Sequence, residues 1–169
     1  MKHMVDDFAI YARQPRPGTM QPVDLAALLL DVLALYDNLR PQLTLSIAAE
    51  PVVVQGEPTR LRQVLHNLLQ NAIDAQIEVA APRYEIALEA KQDTVTLVLG
   101  DAGSGFAEDV LHRVFDPYVT TKAKGTGLGL AIVKKILEEH GGRVELANRT
   151  PRGARVTLVF PRTGGGAVR

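Results

Sequence analysis

The stretch Gly125-Thr126-Gly127-Leu128-Gly129-Leu130 puts glycine at every second position directly ahead of the helical pattern Ala131-Ile132-Val133-Lys134-Lys135-Ile136-Leu137. Residues without side chains let a backbone approach a ligand closely, and the unpaired N–H groups and positive dipole end of a helix behind them favour phosphate. The stretch reads as a cradle for a triphosphate, against the plainer reading that glycines before a helix only make a turn. Its spacing fits neither the P-loop pattern Gly-x-x-x-x-Gly-Lys-Ser/Thr nor the dinucleotide fingerprint Gly-x-Gly-x-x-Gly.

Two other segments carry polar groups suited to the same ligand. Between Pro58 and Val79, Leu61, Val64, Leu65, Leu68, Leu69, Ala72, Ala75 and Gln76 gather on one side when placed at about 100° per residue, which predicts an amphipathic helix. Asn67, Asn71 and Asp74 share an arc of roughly 60° at the border of that stripe. Such a row is either the solvated face of a surface helix or a site for a hard cation: Mg²⁺ takes one or two protein oxygens and completes its shell with waters and phosphates. Further on, Thr94-Val95-Thr96-Leu97-Val98-Leu99-Gly100 alternates as a strand does, and Asp101-Ala102-Gly103-Ser104-Gly105-Phe106 ends it in a tight turn. A carboxylate at that strand end either caps the turn by bonding its own backbone or accepts a hydrogen bond from an exocyclic amine such as the adenine N6 group.

With these residues in view, a resemblance can be named. Gln63 to Ala75, Asp101 to Phe106, Val114 to Lys122 and Gly125 to Leu130 resemble, in order and spacing, the N, G1, F and G2 boxes of the sensor histidine kinase ATP-binding domain. The resemblance covers roughly residues 22 to 161. It implies the fold shared with gyrase, chaperone and mismatch-repair ATPases: an α+β two-layer sandwich, a mixed, mostly antiparallel sheet with helices on one face, and ATP held between that layer and a lid. Carried over by position, Asn71 is similar to the family's Mg²⁺-coordinating asparagine and Asn67 to its phosphate-side neighbour. Asp101 resembles the adenine reader, Gly103 and Gly105 the G1 glycines, Gly127 and Gly129 those of G2, and Phe115 the lid anchor. Lys122 is similar to the lid lysine that reaches the terminal phosphates, so the resemblance makes Asn67 and Lys122 the residues nearest the chemistry, with Lys124, Gly125, Thr126, Leu128 and Leu130 also at the nucleotide.

Two positions depart from the family pattern. Asp74 stands where many members carry Lys or Arg three residues after the N-box asparagine, so any extra phosphate contact falls to Lys122, Lys124 or Arg113. Gly153-Ala154-Arg155 replaces the usual Gly-Thr near the end of the domain, and Thr157 is the candidate to supply the missing hydroxyl at the adenine.

Composition bounds this reading. With 169 residues, 46% of them hydrophobic, the chain can bury one substantial core, and 19 basic against 19 acidic residues leave no polycationic surface for nucleic acid. The absence of cysteine excludes disulfides and thiolate metal sites and fits a cytoplasmic domain. The longest uncharged apolar run, Leu25 to Leu30, is far shorter than the ~20 residues a membrane span requires, and the N-terminus lacks the apolar core of a secretory signal.

The scaffold follows from local pattern. A helix is predicted over Asp24 to Leu39 with Leu25, Leu28, Leu29, Val32, Leu35 and Tyr36 inward, then short strands over Leu43 to Ala48 and Val52 to Gln55. Tyr84 to Ala90 and Thr94 to Leu99 are expected to form one hairpin, and Arg143 to Ala147 and Ala154 to Phe160 another. Residues 115–126 read as a lid that is mobile without nucleotide, and 162–169 as a disordered tail. Met4, Val5, Phe8 and Tyr11 make a helical stripe over 1–13, ahead of a linker over 14–21. That stripe resembles the end of the second dimerisation-hairpin helix in nitrogen-regulation-type sensor kinases.

Together these expectations describe a fragment: a protein-histidine kinase catalytic domain that transfers the γ-phosphoryl of Mg-ATP to a histidine on a separate hairpin domain. The family's acceptor lies in a His-Glu-x-x-Thr/Asn-Pro context that does not occur here, and none of His3, His66, His112 and His140 is assigned as acceptor; His140, before Gly141, suits a cation at a helix C-terminus. The resemblance implies the histidine-bearing dimerisation domain and a response regulator receiver domain as partners, within a homodimeric parent that segments outside this chain can anchor in the inner membrane. The competing readings are an ATP-sensing module without catalysis and an ATP-hydrolysing relative, in which a glutamate occupies the position held here by Asn67.

Overall fold

A computed structural model describes residues 19–116 and 129–163. The expectations for the N-terminal helix and most of its linker, for Lys122, Lys124, Gly125, Thr126, Gly127 and Leu128, and for the tail from 164 onward lie outside these residues. In chain order the described elements are β1 (Gln21–Asp24), α1 (Leu25–Ala34), a 3₁₀ turn (Asp37–Gln42), β2 (Leu43–Ile47), β3 (Val53–Gly56), α2 (Pro58–Ala75), β4 (Tyr84–Ala90), β5 (Thr94–Asp101), α3 (Glu108–Leu111), α4 (Gly129–Glu139), β6 (Arg143–Asn148) and β7 (Ala154–Pro161).

Period-two alternation decides the sheet. In β5 Val95, Leu97 and Leu99 are buried, and in β7 Val156, Leu158 and Phe160, while Thr94, Thr96, Arg155 and Thr157 fall on the opposite face. The strands order as β2-β4-β5-β7-β6, with β2 parallel to β4 and every other neighbour antiparallel. The helices α1, α2 and α4 cover the apolar face, so the core lies between one sheet and one helical layer, as the α+β reading expects. Leu61, Leu69, Ile132, Ile136 and Phe160 are among its fully buried side chains, each removing apolar surface worth about 1.5–3 kcal/mol.

The helices start where their caps dictate. Asp24 accepts the Ala27 N–H at 3.1 Å to open α1, and the Glu57 side chain accepts the Thr59 N–H ahead of Pro58 to open α2. Two helix ends differ from expectation by several residues, and one strand is an addition to it. Helix α1 stops at Ala34 instead of Leu39 and is followed by a 3₁₀ turn that contains Pro41; Leu35, at the helix C-cap, is 69% exposed rather than inward. Helix α2 ends at Ala75 instead of Val79, where Gln76 turns its amide back to the Ala72 carbonyl at 3.2 Å. Strand β1, which pairs antiparallel with β3, buries only Val23 and so has too little alternation to be visible in the sequence.

Candidate functional site

Helix α2 acts as the rail of the site. Asn67, Asn71 and Asp74 are half-buried along one edge of it, as the helical wheel expects. Asn67 Oδ1 accepts from Gln63 Nε2 at 2.9 Å, and Asn67 Nδ2 donates to the Gly129 carbonyl at 3.4 Å, joining α2 to the first described residue of α4. A β-carbon on Gly129 would lie 3.9 Å from Asn71 Oδ1, so Asn71 faces the same helix end. Asp74 accepts from Gln70 Nε2 at 3.0 Å. At the far end of the helix stands the Asp101 turn: a β-carbon on Gly103 would meet the Ala75 carbonyl oxygen at 2.6 Å, which is why only glycine lets β5 close onto α2. Asn67 and Ala75 are eight residues apart on α2, about 12 Å along its axis at 1.5 Å per residue.

Asp101 is the last residue of β5 and only 6% exposed. Its Oδ1 accepts two backbone donors, Gly103 N–H at 2.8 Å and Ala154 N–H at 3.2 Å, and neither is directed at Oδ2. Burial pushes the carboxyl above the usual carboxylate range, while the two N–H bonds and the Arg149 guanidinium pull in the opposite direction. Tyr84, its register partner on β4, is itself held above the ordinary phenol range by burial and by the Asp101 charge.

The turn after Asp101 is held by side chains that sequence patterning does not single out. Gln76, buried at the end of α2, accepts the Ala102 N–H at 3.1 Å and the Arg83 N–H at 2.8 Å through Oε1. Arg152 Nε donates to the Gly103 carbonyl at 3.0 Å, and Arg149 Nη1 to the Asp101 carbonyl at 2.9 Å. Asn148 closes on both ends of one residue, accepting the Phe106 N–H at 2.8 Å and donating to the Phe106 carbonyl at 2.7 Å. Gly105, at φ +74°, sits against that asparagine where a β-carbon would come within 2.7 Å of its Oδ1. Phe115 is half-buried next to buried Val114, and the exposed Arg113 turns its Nε to the Asp109 carbonyl at 3.5 Å. Leu130 packs partly buried against the core.

Two expectations fail on geometry. Thr157 pairs with Val98 and Glu145 on the outer face of the sheet, opposite Val156 and Leu158, so the fold does not bring it to Asp101; the donor there is the Ala154 backbone N–H. His140 is not a solvated cation at a helix end. It is 7% exposed, its Nε2 accepts the Glu57 N–H at 3.1 Å, and the neutral ring therefore presents Nδ1–H to the Ile136 carbonyl at 2.8 Å. Gly141 does take the left-handed cap, at φ +72°. His66 joins the Tyr36 hydroxyl at 2.9 Å, and burial with the nearby Arg62 charge lowers its pKa below the ordinary histidine value.

A protein-family model for histidine kinase-, DNA gyrase B- and HSP90-like ATPases matches residues 56–164. The chain belongs to this family. ATP is accordingly the family's nucleotide, and the matched segment corresponds to the ATP-binding catalytic domain of two-component sensor histidine kinases. Among curated relatives, the C4-dicarboxylate transport sensor protein DctB of Pseudomonas aeruginosa is 40% identical over 94% of the chain and 27% of its own length. The sensor histidine kinase ZraS of Salmonella typhimurium is 38% identical over 88% of the chain and 32% of its own length. The chain thus spans about a quarter to a third of these relatives. Among solved structures, the nucleotide-free catalytic domain of the histidine kinase ThkA superposes with a TM-score of 0.77 at 31% identity, covering 86% of this chain and 97% of that one. Full-length ShkA in complex with AMPPNP gives 0.80 at 27% identity, covering 98% and 36%. ThkA has also been solved in complex with the response regulator protein TrrA.

Within this ATPase family, the donor set suits a metal carried largely by its substrate. Among the described residues no three His, Cys, Asp or Glu side chains converge on a possible metal position, whereas the amides of Asn67 and Asn71 line α2 opposite Gly129. No helix among the described residues is long and apolar enough to cross a membrane.

Proposed function

We propose that the chain binds Mg-ATP along α2, with the adenine at Asp101 and the phosphates at Asn67, Asn71 and the Gly129 end of α4, and delivers the γ-phosphoryl to a histidine on another domain. The observation that carries this reading is the Asp101 carboxylate. Its Oδ1 is taken by two backbone N–H groups, which leaves Oδ2 to accept from a purine amine. Asn71 is the residue to hold Mg²⁺, and when bound the metal neutralises charge on the phosphate oxygens. Lys122, with Lys124, Gly125, Thr126, Gly127 and Leu128, supplies the remaining phosphate contacts in this reading, and Phe115 anchors the lid. Asn67, committed to Gln63 and the Gly129 carbonyl, positions α4 and has no carboxylate with which to activate water, which favours transfer over hydrolysis. Phosphoryl transfer is chiefly positioning and charge neutralisation, and an acceptor imidazole is its own nucleophile, so no catalytic base is required of this chain.

The acceptor histidine belongs, in this reading, to a dimerisation hairpin of the parent protein, and the phosphoryl passes on to a response regulator receiver domain. A cytoplasmic position is part of the same proposal, as is an origin of residues 1–13 in that hairpin and of 14–21 in its linker. The test is incubation with radiolabelled ATP, with and without a separate hairpin domain that carries the acceptor. The expected result is acid-labile label on the hairpin only. Acid-labile label on this chain alone would make one of its own histidines an acceptor, and nucleotide binding with no transfer to a folded cognate hairpin would favour an ATP-sensing module.

A further inference from the structure

Arg149 lies on the side of the sheet away from the helices, yet its reach is to the base end of the site. Its guanidinium passes over Gly100, where a β-carbon would stand 3.0 Å from Nη1, so the space it occupies exists because residue 100 lacks a side chain. Glu85, directly across from Gly100 in the β4–β5 register, accepts from Nη2 at 2.9 Å. The other arm, Nη1, donates to the Asp101 carbonyl at 2.9 Å. Both arms of the guanidinium are thereby fixed, and the planar fork has one orientation. The backbone of Arg149 closes its own turn by donating to Gly153 at 2.8 Å, and Gly153 in turn abuts the Asp101 carbonyl.

We infer that Arg149 is a positioning residue for base recognition: by gripping the Asp101 carbonyl from the outer face of the sheet, it fixes the direction in which the Asp101 carboxylate meets an exocyclic purine amine. The inference rests on the proposed role of Asp101 and deepens it. The peptide plane between Asp101 and Ala102 is held on its carbonyl side by Arg149 and on its N–H side by Gln76, and the adjoining Asp101 side chain inherits that orientation. A guanidinium so close to the carboxylate also favours the charged, hydrogen-bond-accepting form that burial opposes. The other charged or titratable groups around this turn are Tyr84 on β4, Glu85 already engaged by Arg149, Arg155 on β7 opposite Gly100 on the same outer face, Arg152 on the Gly103 carbonyl, and Asp74 on α2 bonded to Gln70.

The experiment compares calorimetric affinities of the whole chain for ADP and for purine riboside diphosphate, which lacks only the exocyclic amine, in Arg149→Met, Arg149→Lys, Gly100→Ala and Asp101→Asn. Arg149→Met is expected to weaken ADP roughly five- to tenfold while leaving the amine-free analogue nearly unchanged, as loss of one directed hydrogen bond would. Its acid limb of ADP binding should also move to higher pH, because the Asp101 carboxyl then lacks the opposing charge, whereas Arg149→Lys keeps that limb in place. Gly100→Ala, which displaces the guanidinium with all charges retained, should reduce the ADP preference as well, and it decides the matter if Arg149→Met fails to fold. Equal weakening of both ligands, or an unchanged ADP preference in a folded Arg149→Met and in Gly100→Ala, overturns the inference. An unchanged preference in Asp101→Asn instead overturns the reading of Asp101 on which it rests.

Discussion

His140 at the end of α4 accepts the Glu57 N–H that precedes α2, at 3.1 Å, while its other nitrogen is committed to Ile136 at 2.8 Å. One neutral imidazole thus joins the start of the helix carrying Asn67 and Asn71 to the end of the helix that begins at Gly129. The Arg60–Glu139 ion pair at 3.4 Å reinforces the same junction from a less buried position. The two helices that frame the phosphate end are therefore fixed at the end opposite the site.

Replacing His140 by Leu keeps the volume and removes the acceptor. The Glu57 N–H then loses its partner in a part-buried position, at a cost of about 1–3 kcal/mol, which lowers the melting temperature by roughly 2–12 °C in a domain of this size. Thermal melts with and without ADP check this. Nucleotide should stabilise mutant and parent by similar increments, since the histidine lies away from the ligand; a melting temperature within a degree of the parent's would remove His140 from the junction.

Asp101→Asn should separate function from stability. Burial raises the Asp101 pKa, so the folded state prefers the protonated carboxyl. That preference stabilises the fold fully below the ordinary carboxylate range and is lost as pH rises through the raised value, so at neutral pH the buried charge is a net cost of folding. Asparagine retains an oxygen for the Gly103 and Ala154 N–H groups without that charge. The nucleotide-free variant is expected to melt at or above the parent at neutral pH, with the difference shrinking as the pH is lowered, while ADP affinity falls about ten- to a hundredfold. In the parent, ADP affinity itself should decline on acidification at a pH above the usual carboxylate range.

Two glycines with positive φ differ in what surrounds them. At Gly141, φ +72°, the nearest atom to an added β-carbon is 3.6 Å away, so Gly141→Ala bears only the left-handed backbone cost of about 1–2 kcal/mol. At Gly153, φ +106°, the same carbon would come within 2.0 Å of the Asp101 oxygen, and the Asp101 strand end must move. Gly153→Ala should therefore cost more than about 3 kcal/mol and abolish ADP binding, whereas Gly141→Ala binds normally. Denaturant midpoints paired with calorimetry measure both, and equal losses would show that backbone conformation alone sets the penalty.

What the sequence discloses follows from how each feature is built. Helices α2 and α4 and strands β4 to β7 declare themselves through periodic burial, and Asp101, Gly103 and Gly105 through a local change from strand alternation to turn residues. Gln76, Asn148, Arg149 and Arg152 do not, because each acts on a backbone group far away in the chain: Gln76 on Ala102 across 26 residues, Asn148 on Phe106 across 42, Arg149 on Asp101 across 48 and Arg152 on Gly103 across 49. A backbone carbonyl leaves no mark in the residue types, so such contacts become visible only once the fold brings the β6–β7 turn onto the end of β5. Thr157 is a different failure. Counting by twos from Val156 and Leu158 places it on the outer face, so the strand pattern itself excludes it, although it lies only four residues from Gly153 in the chain.

The last prediction separates the two asparagines of α2. Asn67 spans to the Gly129 carbonyl and its oxygen is engaged by Gln63, so Asn67→Ala loosens the α2–α4 contact for any ligand. Asn71 faces Gly129 one helical turn later, and in the proposed function its oxygen serves the metal. Asn71→Ala should then weaken ATP binding in Mg²⁺ by about tenfold or more, comparable to loss of a bond to a charged group, and leave binding in chelator almost unaltered. Asn67→Ala should weaken binding in both conditions by similar factors. Titrations of ATP in Mg²⁺ and in chelator give the two ratios for each variant, and an Asn71→Ala chain that keeps the parent's dependence on Mg²⁺ would place the metal on other oxygens.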